Sequence, residues 1–375
     1  MRIRLFVVLI VALTAARVGP FASHAPATTA TNLILNGDFS RGLENWIVWP
    51  QPNFGFVDAS TGRLHFHRVQ NFGSLAILQP TGMSLPRGAF FELSFELGNT
   101  DTVPKRLSVI VHDQDWSDLQ VCTFTLEPMQ PLLPYVMRAQ TTEHWIDAAV
   151  GFFAITGNPQ GAPGDYVLDT VEFTSLSSGG PSAYTECVDP LAPTSGGVED
   201  VANLITNGDF ATGSLTPWQP LSLRVEVVPF GSDFAVDFHA AFAAGALLQS
   251  TGVPAAQHQR IVATFDLGNL GSGRQRVRVD LHDADFSDVA LCHFWLPAGM
   301  PPSPFVMTAY ATKPWTNITV SFVSAGLAMQ HPAEFLRLDN VQVRRTTGAT
   351  PGTQCVAPSA IASRREPTAA GLLAR

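Results

Sequence analysis

The sequence predicts an all-β chain built as two tandem β-sandwiches. Three observations carry this: apolar and polar residues alternate with period two, turn residues punctuate the whole chain, and one complete unit occurs twice. The alternation is clear in Phe91-Glu-Leu-Ser-Phe-Glu-Leu97, Arg106-Leu-Ser-Val-Ile-Val-His112, Arg276-Val-Arg-Val-Asp-Leu-His282 and Thr319-Val-Ser-Phe-Val323. Thr61-Gly62, Thr81-Gly82, Gly98-Asn99, Gly157-Asn158 and Gly271-Ser-Gly273 supply the turns. No segment pairs a sustained helical period with a cap. Short strands separated by Gly and Pro turns read as sandwiches.

The duplication is read directly. Asn32-Leu-Ile-Leu-Asn-Gly-Asp-Phe39 returns as Asn203-Leu-Ile-Thr-Asn-Gly-Asp-Phe210, and His112-Asp-Gln-Asp-Trp-Ser-Asp118 as His282-Asp-Ala-Asp-Phe-Ser-Asp288. Cys122 returns as Cys292, Trp145 as Trp315, and Leu168-Asp-Thr-Val171 as Leu338-Asp-Asn-Val341. A nearly constant shift of about 170 residues marks a duplicated domain, since solenoid repeats are far shorter. The units are residues 31–187 and 203–355, with 188–202 between them and a 356–375 tail rich in Ala, Ser and Arg, read as disordered. The Pro/Gly/Ser run from Val188 to Gly197 reads as a semi-flexible linker, so each copy is expected to fold alone without a large shared core.

Residues 1–25 read as a secretory signal peptide. Arg2 and Arg4 precede the apolar run Leu5–Ala16, and small residues follow. The run is too short for a membrane span, which needs about 20 apolar residues. Its removal takes away Arg2, Arg4 and Arg17 and no acid, from a chain whose net charge is already -9. Nucleic-acid binders and anionic-membrane binders need clustered positive charge, so neither partner is expected, nor is membrane insertion. At 46% hydrophobic and 14% charged, most of the chain is able to bury a core. An exported chain with four cysteines implies disulfides, and the duplication selects one pair per copy, Cys122–Cys187 and Cys292–Cys355.

The sharpest local motif is His-Asp-x-Asp-(Trp/Phe)-Ser-Asp. It joins two predicted strands and crowds Asp113, Asp115 and Asp118, and in the second copy Asp283 and Asp285, at a hairpin end. Three readings stay open. Carboxylates on a loop suit calcium; Asp and Ser also cap turn N–H groups; and Trp116 or Phe286 at the tip offers a flat ring for a sugar. No G-x-S-x-G, H-E-x-x-H, G-x-x-x-x-G-K or strand-following G-x-G-x-x-G is present. Paired acids at a sandwich rim serve glycosidases, but duplicating a whole domain raises avidity more plainly than turnover, so no enzyme is expected.

The stretch Asn32-Leu-Ile-Leu-Asn-Gly-Asp-Phe-Ser-Arg-Gly-Leu-Glu-Asn-Trp46, matched again from Asn203 to Trp218, resembles the opening of carbohydrate-binding modules of the family 4/9/22 (CenC-like) type. The endings Tyr166-Val-Leu-Asp-Thr-Val171 and Phe335-Leu-Arg-Leu-Asp-Asn-Val341 are similar to that family's closing strand. The resemblance implies two tandem jelly-roll β-sandwiches of the galactose-binding-domain-like kind, and a secreted, non-catalytic protein whose partner is a polysaccharide or glycan. It implies a structural calcium whose closing-strand ligands are Asp169 and Asp339. The family's Glu after the opening Phe is Ser40 and Ala211 here. Trp46 and Trp218 match the family's opening Trp and are expected in the core. Trp49, Trp116, Trp145, Phe286, Trp295 and Trp315 are the candidate ligand-binding aromatics, Trp145 and Trp315 being equally candidates for the core. The other expectation is a structural or adhesive surface protein that uses its sandwiches for protein contacts.

Overall fold

A computed structural model describes residues 31–49, 55–68, 75–154, 164–176, 184–240, 244–325 and 335–358. Residues 1–25, read above as a signal peptide, and the tail from 359 lie outside the described residues. Every regular element among the described residues is a strand. The first copy contributes β1 (Ile47–Trp49), β2 (Gly55–Asp58), β3 (Leu64–Arg68), β4 (Leu75–Pro80), β5 (Phe90–Asn99), β6 (Lys105–Asp113), β7 (Leu119–Leu126), β8 (Leu133–Gln140), β9 (Ala148–Ala154), β10 (Gly164–Leu176) and β11 (Thr185–Val188). The second contributes β12 (Gln219–Leu221), β13 (Leu223–Phe230), β14 (Asp233–Ala240), β15 (Ala244–Ser250), β16 (Arg260–Asn269), β17 (Gln275–Asp283), β18 (Val289–Leu296), β19 (Ser303–Tyr310), β20 (Ile318–Ala325), β21 (Leu336–Thr346) and β22 (Gly352–Val356).

Period-two alternation does what the pleat requires. In β5, Phe91, Leu93, Phe95 and Leu97 are buried while the residues between them are not; β16 repeats this with Ile261, Ala263, Phe265 and Leu267. Each copy is a sandwich with its own core. A five-stranded sheet, β1-β4-β9-β6-β7 or β12-β15-β20-β17-β18, closes over one half of a twelve-stranded sheet.

That long sheet joins the copies more firmly than the linker composition implies. Its order is β13-β14-β21-β16-β19-β22-β11-β8-β5-β10-β3-β2, so the copies join where β11 pairs with β22. Thr185 faces Cys355 and Cys187 faces Thr353, so equivalent residues exchange places about a local pseudo-twofold. Each copy keeps its own main core, with Tyr184 of the first packing into that of the second beside Phe294, and the sheet is continuous. The linker is tied down as well: Asp189 N–H donates to Pro351 O (2.7 Å), Val198 N–H to Gln259 Oε1 (2.7 Å), and Arg345 pairs with Asp200 (2.7 Å). The two disulfides are those the duplication selects, Cys122–Cys187 and Cys292–Cys355. Each staples the joining strand of the long sheet to β7 or β18 across the sandwich.

The repeated opening motif is a clamp. Asn36 and Phe39 adopt positive φ (54° and 51°), as do Asn207 and Phe210 (both 52°). Asn36 Nδ2 donates to Gly42 O and Glu44 O (2.9 and 3.0 Å), and the buried Trp46 Nε1–H donates to Asn36 O (3.1 Å). Trp218 Nε1–H does the same to Asn207 O (3.0 Å). Between them a glycine is obligatory. A Cβ on Gly37 would lie 2.0 Å from Val171 O, and one on Gly208 2.1 Å from Val341 O. The opening turn therefore seats directly on the closing strand, and Val171 N–H donates back to Gly37 O (2.9 Å). Gly37→Ala and Gly208→Ala are each expected to cost about 1–3 kcal/mol through overpacking, read as a lowered melting temperature. An unchanged melting temperature would mean that the two ends are not clamped.

Candidate functional site

Alternation that buries Val277, Val279 and Leu281 of β17 turns Arg276, Arg278, Asp280 and His282 to the other side of the five-stranded sheet. The register sets Asp280 opposite Ser321 of β20 and Arg278 opposite Val323. Arg278 Nε pairs with Asp280 Oδ1 at 2.9 Å. Burial pushes the Asp280 carboxyl up, and Arg278 opposes that shift. His282 Nδ1–H donates to Asp283 O (2.7 Å), which leaves Nε2 to meet Ser321 Oγ (2.8 Å). Burial holds the His282 pKa down, so the ring is neutral at pH 7. With Leu221, Ala246, Leu248 and Phe286, the side chains of Arg278, Asp280 and Ser321 line an open cleft of about 280 Å³.

The acidic turn places the aromatic ring. Asp283 Oδ1 accepts from the N–H groups of Ala284 (2.8 Å) and Thr316 (2.9 Å), and Asp285 Oδ1 accepts from Ser287 N–H (2.8 Å). Asp288 Oδ2 accepts from Thr312 N–H (2.8 Å) and Trp315 Nε1–H (2.7 Å). Asp113, Asp115 and Asp118 repeat the scheme toward Ile146, Ser117 and Trp145. Of the open readings, the turn-forming one describes these carboxylates. At the tip, Phe286 and Trp116 take positive φ (57° and 63°) and fold back onto their histidines. Phe286 stacks on His282 at 3.9 Å and Trp116 on His112 at 3.6 Å.

The equivalent face of the first copy has other chemistry. Where the second copy has Asp280, Ser321 and Val323, the first has Ile110, Gly151 and Phe153. Trp116 meets Phe153 edge-on at 6.3 Å, and the edge strand β1 adds Ile47 and Trp49, 54% and 52% exposed. His112 Nε2 is buried with no hydrogen-bond partner, because Gly151 stands where Ser321 would answer it. One face is aromatic and apolar, and the other is polar around a ring.

The six candidate aromatics therefore divide. Trp49, Trp116 and Phe286 stand on the outer faces. Trp145 and Trp315 do not: both are buried, with each Nε1–H held by Asp118 or Asp288 at 2.7 Å, so no ligand stacks on them. Trp295 is also withdrawn, packed between the copies on Leu119 and Val121 with its Nε1–H on Leu119 O (3.1 Å). Arg278, Asp280 and Ser321 were missed as site residues. The signal was present, because the alternation that marks β17 as a strand also puts its polar half on one face.

The resemblance implies calcium at Asp169 and Asp339. Arg63 Nε stands 3.3 Å from Asp169 Oδ2, so an arginine already supplies positive charge there. At Asp339, Asp266, Asp233 and Asp209 add negative charge. Among the described residues no three His, Cys, Asp or Glu side chains converge on a point a metal would occupy. The side chains do not by themselves fit a calcium site.

No protein-family model and no curated protein matches the chain. Solved structures of similar fold include the tandem of two CBM22 modules from Paenibacillus barcinonensis Xyn10C, at 13% identity, covering 86% of this chain and 100% of that one, with a TM-score of 0.31. A CBM4 structure is 16% identical over 37% of this chain and 99% of that one, with a TM-score of 0.30. Arabinose-bound MgGH51 α-L-arabinofuranosidase is 11% identical over 38% of this chain and 26% of that one, with a TM-score of 0.33. Carbohydrate-binding modules are thus among the structures it resembles.

Asp339 sets a pH dependence. Burial first, then the neighbouring acids, push its carboxyl from 3.8 up to about 6. The folded state thus holds this proton more tightly than the unfolded chain does. The stability it contributes is complete below about pH 4 and is lost as pH rises through about 6. Asp339→Asn keeps the acceptor for Asn340 N–H and is expected to raise the melting temperature at pH 8 while changing nothing at pH 4. A fall at pH 8, accompanied by loss of a calcium-dependent rise, would show instead that the carboxylate holds a cation.

Proposed function

We propose that the protein is a secreted, non-catalytic carbohydrate-binding protein that engages glycans through the outer faces of its two five-stranded sheets. The observation that carries this reading is the cleft of the second copy. Phe286, 44% exposed, lies beside Arg278, Asp280 and Ser321, which converge from neighbouring strands. Sugars present C–H-rich faces that pack on aromatic rings and hydroxyls that need donors and acceptors together. Arg278 offers donors, Asp280 acceptors, and Ser321 both. The strands hold these groups in place before a ligand arrives, so little ordering cost opposes binding.

Two disulfides and the signal-peptide pattern of residues 1–25 support a place outside the cytoplasm. The cleft is lined by a single carboxylate, Asp280, and it is already paired with Arg278. Glycosidases use two, so this favours holding a sugar over cleaving it. A second reading rests on the first copy alone. Ile47, Trp49, Ile110 and Phe153 make an apolar face suited to a protein partner, which would make the protein adhesive or structural.

A glycan array probed with the full chain tests the proposal. Phe286→Ala and Arg278→Gln are each expected to lower retention on the bound glycans at least tenfold, with the melting temperature little changed. Glycan binding indifferent to both substitutions would remove the cleft from the account. Silence across the array would favour the adhesive reading.

A further inference from the structure

The pseudo-twofold between the copies is broken in its filling. On one side Arg274 reaches from the second copy into the first. Its Nη2 pairs with Asp118 Oδ1 (3.0 Å) and donates to Thr142 Oγ1, while its Nη1 meets Glu143 Oε2 (3.1 Å). Trp295 covers it, with its ring centroid 4.0 Å from the guanidinium carbon. On the other side the equivalents of Arg274 and Trp295 are Pro104 and Thr125, smaller side chains of which Thr125 only touches the second copy, its Oγ1–H donating to Asp288 Oδ1 (3.4 Å). Where the first side is plugged, the second is a cavity of about 220 Å³ lined by Arg106, Thr125, Ser287, Thr312 and Lys313. A single water needs only about 10–15 Å³.

The lining differs in charge as well as shape. Glu143 on the filled side has Lys313 as its counterpart on the open side. Lys313 Nζ lies 3.4 Å from Asp283, and Lys105, also at this cavity, lies 3.3 Å from Asp101; Glu127 is the lining carboxylate. Arg106 is different: its Nε is buried with no hydrogen-bond partner, and the acids that act on its charge are Asp288 and Asp280. A buried guanidinium N–H without an acceptor is costly, and a charged oxygen answers it best.

We propose that this cavity between the copies is a binding site for a carboxylate-bearing ligand about the size of one acidic sugar, the carboxylate meeting Arg106 and Lys313 and the hydroxyls meeting Ser287 and Thr312. The filled side shows that the same frame accepts a planar, charge-bearing group. Reversal of Glu143 to lysine inverts the charge that the open side takes. The site shares no lining residue with the cleft at Phe286.

Isothermal titration of the full chain with glucuronate, glucose and inorganic phosphate tests it. Glucuronate is expected to bind and glucose not, and Arg106→Gln to weaken glucuronate at least tenfold. A second variant guards against misfolding. Pro104→Arg combined with Thr125→Trp and Lys313→Glu copies the filled side, and is expected to fold and to lose glucuronate binding. Equal binding of glucose or phosphate, no binding of glucuronate, or binding unaffected by both variants would overturn the proposal.

Discussion

The pairing of β11 with β22 is the constraint on which the rest of the molecule depends. These two four- and five-residue strands turn two half-sheets into one. Each is also the strand that carries the second cysteine of its copy, so each is bonded across its own sandwich to β7 or β18. Closing a loop of that length constrains the unfolded chain by roughly 4 kcal/mol in the entropy model. Glu92, Arg138 and Glu186 extend the tie laterally, and Gln354 Nε2 donates to Glu186 Oε1 across the junction (2.9 Å). Orientation of the copies is thereby set by backbone hydrogen bonds, helped by the Arg274 ion pairs, the small hydrophobic cluster around Trp295 and Tyr184, which packs against Phe294 of the second copy.

A fixed junction changes what duplication means for function. Two copies on a loose tether would raise avidity by local concentration. Held on one sheet, they present two unlike faces at a set angle: an aromatic apolar one with Trp49, Trp116 and Phe153, and a polar one around Phe286. The difference arises from a few outward positions, Ile110 against Asp280 and Gly151 against Ser321, while the inward residues stay apolar in both. The inward residues hold the same fold in both copies, and the outward ones differ in chemistry.

Much of this is legible in the residues. The alternation in β5, β6, β16 and β17 gives both strand and facing, the Asn-Gly-Asp-Phe turn explains its own glycine once Val171 is found above it, and the cysteine pairs follow from the repeat. The junction was not legible. β11 and β22 are too short to show a period, and the run after Val188 has linker composition, so their tie to the second copy depends on neighbours far away in sequence. Trp145 and Trp315 carry the same ambiguity, since a tryptophan beside a turn serves core or surface equally until a buried acceptor such as Asp118 is placed. Comparing the copies position by position did hold a clue to the interface, because Arg274, Trp295 and Lys313 replace Pro104, Thr125 and Glu143 where the surrounding sequence is otherwise similar.

The central claim, that the two copies form one mechanical unit, is tested most directly by calorimetry of the full chain with its disulfides intact. If the long sheet is continuous, unfolding is a single transition whose calorimetric and van't Hoff enthalpies agree, and removing the Arg274 and Trp295 side chains together lowers its midpoint for both copies at once. Two separate transitions in the unaltered protein, with only one of them moved by those substitutions, would contradict it.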